Sequence, residues 1–129
     1  MEKKKILIVE DNAQNMKVMV MTLRPHGYTI LQAMDGEAAL EVAVKEKPDL
    51  IMMDIRLPKI DGVDVTKRLR CMPEFSTTPI IAITAYAMKG DKERFLAAGC
   101  DEYISKPIDT RQLPKVVADM LRSRKQKSQ

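Results

Sequence analysis

Tryptophan is absent from this chain, and its aromatic residues are three Tyr and two Phe among 129. Aromatic platforms for a flavin's isoalloxazine ring are therefore thin. One histidine, His26, excludes a multi-histidine metal site and any relay built on two imidazoles. It sits in "RPHGY", just after an apolar stripe, as part of a helix-ending turn. Cys71 and Cys100 follow no metal-binding spacing, which points to structural thiols in a reducing cytoplasm. Long apolar runs are missing too. "ILIV", "VMVM" and "LIMM" are far too short to span a bilayer, so no membrane segment is expected. The start "MEKKKILIVED" reaches two acids after four apolar residues, unlike a secretory signal.

Repeats, low-complexity segments and Ser/Gly-rich linkers are also lacking. The expectation is one domain over 1–129, with a core at 4–121 and a solvated, frayed basic tail, "RSRKQKSQ", at 122–129. The net charge of +4 owes much to that tail, where no aromatic residue interleaves with the charges as a nucleic-acid surface would require.

What the chain has is alternation. Ile-, Val- and Leu-rich runs at 5–10, 28–33, 49–54, 79–84 and 102–105 read as strands. Between them, Met16, Met19, Val20 and Leu23 share one helical face, as do Leu40, Ala43 and Val44, and Val65, Leu69 and Met72. Leu113, Val116, Val117, Met120 and Leu121 mark the last helix. Asn12 and Asp35 are placed as N-caps and Gly27 and Gly99 as stops. Asp109 with Gln112 resembles a capping box, but Pro114 argues for a later start. Strands alternating with helices give an α/β fold, (βα)5, with a doubly wound parallel sheet covered on both faces.

Ligands of open parallel sheets gather beyond the carboxyl ends of the strands. There the first strand ends in Glu10-Asp11, the third in Asp54, the fourth in Thr84-Ala85 and the fifth in Ser105-Lys106-Pro107. Carboxylates within about 4 Å repel by roughly 4 kcal/mol per pair at an effective dielectric near 20. Such a cluster must take up protons, spread apart, or hold a cation. Oxygen donors without His or thiolate favour Mg²⁺, with Mn²⁺ an alternative. Asp11 and Asp54 read as direct ligands and Glu10 as a supporter acting through water. Lys106 either neutralises the acids or grips an anion beside the metal, and Thr84 offers that anion a second hydrogen bond. Metal, lysine, hydroxyl and carboxylate nucleophile together describe phosphoryl transfer to an aspartate. Lys106-Pro107 is a candidate cis peptide.

At these residues the sequence resembles the receiver domains of two-component response regulators. "ILIVEDNAQN", "LIMMDIRLPKIDG", "IIAITAYAM" and "GCDEYISKPID" are similar to that family's acidic pair, phosphoacceptor segment, hydroxyl-bearing strand, and switch aromatic with lysine-proline turn. The resemblance implies a CheY-like, flavodoxin-like sheet of order 2-1-3-4-5, an order of which a receiver domain is itself a standard example. It implies that Asp54 takes a phosphoryl group from a histidine kinase or histidine phosphotransfer protein. It also implies Mg²⁺ on Asp11, Asp54 and the backbone carbonyl of Arg56, with Glu10 in support. Thr84 and Lys106 would contact the phosphoryl oxygens, and Tyr103 would change rotamer with Thr84. Ile60 stands where the family often has Met, and Arg56 and Tyr86 occupy variable positions whose bulk is expected to restrict the attacking water.

The resulting expectation is a cytoplasmic signalling switch, not an enzyme beyond self-phosphorylation and slow autodephosphorylation. Its moving part would be the 84–91 loop, the following helix and the face around Tyr103, which binds a downstream protein target. No DNA-binding module follows the fifth helix, so a stand-alone module, monomeric or weakly dimeric, is expected, with the excised receiver of a hybrid histidine kinase as the alternative. A Mg-dependent aspartyl phosphatase would want an acid two residues after Asp54, where Arg56 stands. A flavin binder would want a phosphate-cradling loop where "EDNAQN" stands.

Overall fold

Five strands lie parallel in the order β2-β1-β3-β4-β5: β1 Lys5–Val9, β2 Thr29–Ala33, β3 Leu50–Asp54, β4 Ile80–Thr84 and β5 Glu102–Ser105. The computed structural model describes residues 3–85 and 91–127, the side chains of 91, 92 and 124–127 excepted. The helices are α1 (Ala13–Leu23), α2 (Gly36–Glu46), α3 (Gly62–Arg70), α4 (Asp91–Ala98) and α5 (Leu113–Lys127). Short 3-10 turns follow α1 at Arg24–His26 and α3 at Pro73–Phe75. The topology is the one expected from the alternating sequence pattern and the family resemblance.

Alternation along the central strands sends side chains to two cores. Ile6, Ile8, Met52, Ile81 and Ile83 face α1 and α5, meeting Met16, Met19, Leu23, Leu113 and Val117. Leu7, Val9, Ile51, Met53 and Ala82 face α2, α3 and α4, meeting Ala39, Ala43, Val65, Leu69 and Phe95. Strands β3 and β4 are buried at every position, which is why their sequences are apolar up to the last residue.

The Asn12 and Asp35 side chains cap α1 and α2, accepting from the N–H groups of Asn15 and Ala38. Asp61 does the same for α3. Gly27 closes the first 3-10 turn at φ 89°, and His26 lies within that turn.

Some helix faces differ from the periodicity. In α2 the buried positions are small: Gly36, Ala39 and Ala43 meet the rest of the fold, while Val44 is 46% exposed. Alanine gives little hydrophobicity per residue but lets the helix sit close, a contact that a count of large apolar residues misses. Met72 lies beyond the end of α3 and is only half-buried. Asp109 forms a turn, its Oδ1 accepting from the N–H of Arg111, and α5 begins at Leu113 with Pro114 in its first turn, where a missing N–H costs no helical bond. The last helix, α5, continues to Lys127. Arg, Lys and Gln are good helix formers, and positive charge at a helix C-terminus is favoured by its dipole.

At the end of the sheet away from the carboxyl termini, one side chain ties several segments together. Arg70 donates to the carbonyls of Gly99 (2.9 Å), Phe75 (2.5 Å) and Thr78 (2.7 Å) and pairs with Asp101 at 2.8 Å. Asp101 in turn accepts from the N–H of Ile80 at 2.9 Å. Gly99, at φ +115°, has no Cβ to meet Arg70, whose Cγ would lie 2.7 Å from it.

Both cysteines are free thiols, Cys71 exposed and Cys100 buried. Burial pushes the Cys100 thiol up from its ordinary pKa, so it stays protonated and unreactive at neutral pH. A maleimide should therefore modify one thiol quickly in the native protein and the second only on unfolding. Rapid native labelling of Cys100, read by peptide mass, would contradict this packing.

Candidate functional site

The strand order changes direction between β1, which pairs with β2, and β3, which pairs with β4. A crevice opens at the carboxyl ends of such neighbours because their following helices cross to opposite faces. Here it is a cleft of about 320 Å³ whose lining includes Glu10, Asp11, Asp54, Arg56, Ala85 and Lys106.

Each side chain is held by local structure. The Glu10 N–H extends the β1–β2 ladder to the Ala33 carbonyl at 3.0 Å. Its Oε2 accepts from the Asn12 N–H at 3.0 Å, so the residue that caps α1 also fixes the acid before it. Asp54 ends β3, and its Oδ1 accepts from the Arg56 N–H at 3.0 Å. Lys106 follows β5, its N–H donating to the Thr84 carbonyl at 2.8 Å, and the Lys106-Pro107 bond is cis. Gly62 opens α3 against this end of β3. A Cβ there would lie 2.2 Å from the Asp54 carbonyl oxygen, so the approach requires glycine.

The lysine joins the acids. Its Nζ lies 2.8 Å from Glu10 Oε1 and 3.0 Å from Asp54 Oδ2. Glu10 is fully buried and Asp54 is 3% exposed, while Asp11 stands in solvent at the cleft mouth. Burial raises the Glu10 pKa most, Lys106 opposes that shift, and the Asp54 carboxylate adds to it. Burial acts to lower the Lys106 pKa, but hydrogen bonds and charge from Glu10 and Asp54 outweigh it and leave it raised. The ammonium is therefore charged throughout the neutral range.

One lysine does not complete the site. Carboxylate oxygens of Glu10, Asp11 and Asp54 all lie within 4.8 Å of one another. Among the described residues, Asp11 has no ion pair. Glu10 Oε1 is buried, and its one close cation, the Lys106 ammonium at 2.8 Å, is shared with Asp54. A buried, under-bonded oxygen beside two more carboxylates, with no His or Cys among the donors, fits a hard divalent cation.

The sequence-derived residues thus converge, with differences of position. Glu10, Asp11, Asp54, Arg56 and Lys106 line the cleft. Thr84 is buried at the end of β4, paired in register with Ser105, and its neighbour Ala85 lines the cleft. Tyr103 is half-buried and turned to the core shared with α4, its ring centroid 6.4 Å from that of Phe95. Tyr86, and residues 86–90 of the expected moving 84–91 loop, lie outside the described residues. Three contributions were not read from the sequence: the Asn12 N–H on Glu10, Asn15 in the cleft wall, and the close approach at Gly62. Asn12 carried a signal, since a capping residue directly after an acidic pair brings a helix N-terminus to those acids.

Lys106→Met should destabilise the metal-free protein by about 3 kcal/mol, because it strands two buried carboxylates. The double variant Glu10→Gln/Lys106→Met should recover part of that loss. Urea unfolding in chelator at neutral pH reads both, and a Lys106→Met protein as stable as the parent would show that the bridge carries no weight.

Known proteins resemble this chain in sequence and fold. Residues 6–118 match the family model for the response regulator receiver domain. A polar-differentiation response regulator, DivK of Brucella anthropi, is 48% identical over 105 residues, 81% of this chain and 85% of that protein. Among solved structures, a CheY-like receiver domain protein from Methanospirillum hungatei superposes with a TM-score of 0.91 at 26% identity, covering 98% of this chain and 99% of that one. The receiver domain of the sensor histidine kinase PA1611 from Pseudomonas aeruginosa, with a magnesium ion coordinated in its active-site cleft, gives 0.86 at 37% identity over 93% and 98%. Among the described residues, no helix is long and apolar enough to cross a membrane. A family match over residues 6–118, with a relative 48% identical over most of both chains, means that this chain belongs to the response regulator receiver domains, the phosphoryl-accepting switches of two-component signalling.

Proposed function

We propose that Asp54 is the phosphoacceptor and that the donor is a histidine kinase or histidine phosphotransfer protein. The observation that carries this reading is the state of Asp54: a nearly buried carboxylate at a cleft mouth, held by the Lys106 ammonium on one oxygen and the Arg56 N–H on the other. A carboxylate oxygen of Asp54 bonds to phosphorus as the phosphorus–nitrogen bond of a phosphohistidine breaks, and the departing imidazole nitrogen takes a proton from solvent. Positioning and charge neutralisation do the catalysis.

Asp11, Asp54 and the Arg56 carbonyl are the residues that would hold Mg²⁺, with Mn²⁺ able to replace it and Glu10 acting through water. When bound, the ion offsets the negative charge that the acids and the incoming phosphoryl group share. Lys106 then exchanges its contact with Asp54 for a phosphoryl oxygen, and the Thr84 hydroxyl supplies a second bond. A charged hydrogen bond of this kind is worth about 1.5–3 kcal/mol and a neutral one about 0.5–1.5. Even together they fall short of the roughly 5.5 kcal/mol needed to reverse a 1:99 equilibrium. Because Lys106 is already paired with two carboxylates, the net gain is smaller still. Phosphorylation therefore shifts a population, and a downstream protein binding the face around Tyr103 completes the change.

A second reading, the receiver of a hybrid histidine kinase, draws support from the 37% identity to the PA1611 receiver. It leaves the chemistry at Asp54 unchanged.

Acetyl phosphate with Mg²⁺ should add one phosphoryl group to the intact chain, and chelator or Asp54→Asn should abolish it. An adduct that persists in Asp54→Asn would overturn the assignment. Arg56 lines the cleft with an exposed side chain beside the acceptor, so Arg56→Ala should admit water and shorten the phosphorylated lifetime. An unchanged decay rate, followed by mass after removal of the donor, would remove Arg56 from that role.

A further inference from the structure

A second cavity of about 350 Å³ lies on the opposite flank of the first helix from α5, between α1 and the outer strand β2. Ala13, Lys17, Val20, Met21 and Arg24 follow one another along α1 and its end at intervals of four, three, one and three, a continuous helical flank. Met34, just past β2, forms the facing wall.

Its chemistry is one-sided. Met21 is 64% exposed, the most open of the large apolar residues described, and Met34 is 44% exposed. No residue lining the groove is acidic, and among the described residues neither Lys17 nor Arg24 has an ion-pair partner. The two cations are seven residues apart, which on a helix puts them two turns, or about 10.5 Å, apart on one line. An apolar trough lined by adaptable methionines and edged by cations at two-turn spacing is complementary to another helix that repeats the pattern in acids.

We propose that this groove docks an amphipathic helix of a partner protein, carrying apolar anchors flanked by two acids spaced seven residues apart. The docking is independent of chemistry at Asp54, which opens into a different cleft. Apolar anchors in the trough supply affinity, and the Lys17 and Arg24 pairs at its edge supply orientation and salt sensitivity.

The test uses the methionine methyl groups of the full chain. The probe is a helical peptide of about five turns, with leucines on one face and glutamates seven residues apart beside them. The Met21 and Met34 methyl resonances should shift on titration while those of the buried Met52 and Met53 stay fixed, which also reports an intact fold. Lys17→Glu/Arg24→Glu should weaken binding at least about tenfold, as should added salt, whereas Asp54→Asn should leave it unchanged. Four outcomes would overturn the proposal: no Met21 or Met34 shift at millimolar peptide; equal binding by the peptide with lysines in place of glutamates; the same shifts on concentrating the chain alone, which would make a second copy the occupant; or protection of the outer amides of Thr29–Ala33, which would indicate strand addition. Because Asp54→Asn is included, failure at the groove is separable from failure of the phosphoacceptor assignment.

Discussion

The structure turns on one buried contact, the Lys106 ammonium lodged between Glu10 and Asp54. Two carboxylates with almost no exposure would each carry a desolvation cost of several kcal/mol if left alone. The lysine makes their burial tolerable and leaves the rim short of positive charge, with Asp11 in addition. That imbalance suits a hard divalent cation. A site neutralised by its own side chains would have less reason to take one.

Bringing those groups together needs the central strands in register. Glu10 follows β1, Asp54 ends β3, and Lys106 follows β5 on the far side of β4. The lysine reaches across because its backbone is bonded to Thr84, so the tip of β4 sets how far its stem must extend. Asn12 and Gly62 complete the frame, one by donating to Glu10 and the other by letting α3 start against the Asp54 carbonyl. Glycine at 62 is thus part of the site without touching anything that binds there.

Much of this was legible in the amino-acid sequence, for an identifiable reason. Apolar runs that stop on an acid, a threonine or a lysine declare both a buried strand and the rim where it ends, so the fold and the candidate rim follow from one pattern. Arg70 was not legible, because its four acceptors include three backbone carbonyls, which leave no trace in side-chain composition. The inner face of α2 was hidden for a related reason: alanines at 39 and 43 bury by closeness, while the more hydrophobic Val44 points outward.

The two sides of the sheet can then bear different tasks. Tyr103 sits on β5 three residues before Lys106 and packs toward Phe95 on the α4 side. In the proposed switch, a rearrangement of the lysine toward a phosphoryl oxygen would pull on the strand that carries this ring. The groove along α1 lies beyond β1, on the opposite face and at the opposite edge. It shares no lining residue with the acidic cleft, although Ala13 at its end directly follows Asn12 of the cleft wall in the chain. A partner held at the groove would therefore raise the local concentration of whatever acts at the cleft without itself being released when Asp54 changes state, which is how a switch of only a few kcal/mol can remain responsive while staying tethered.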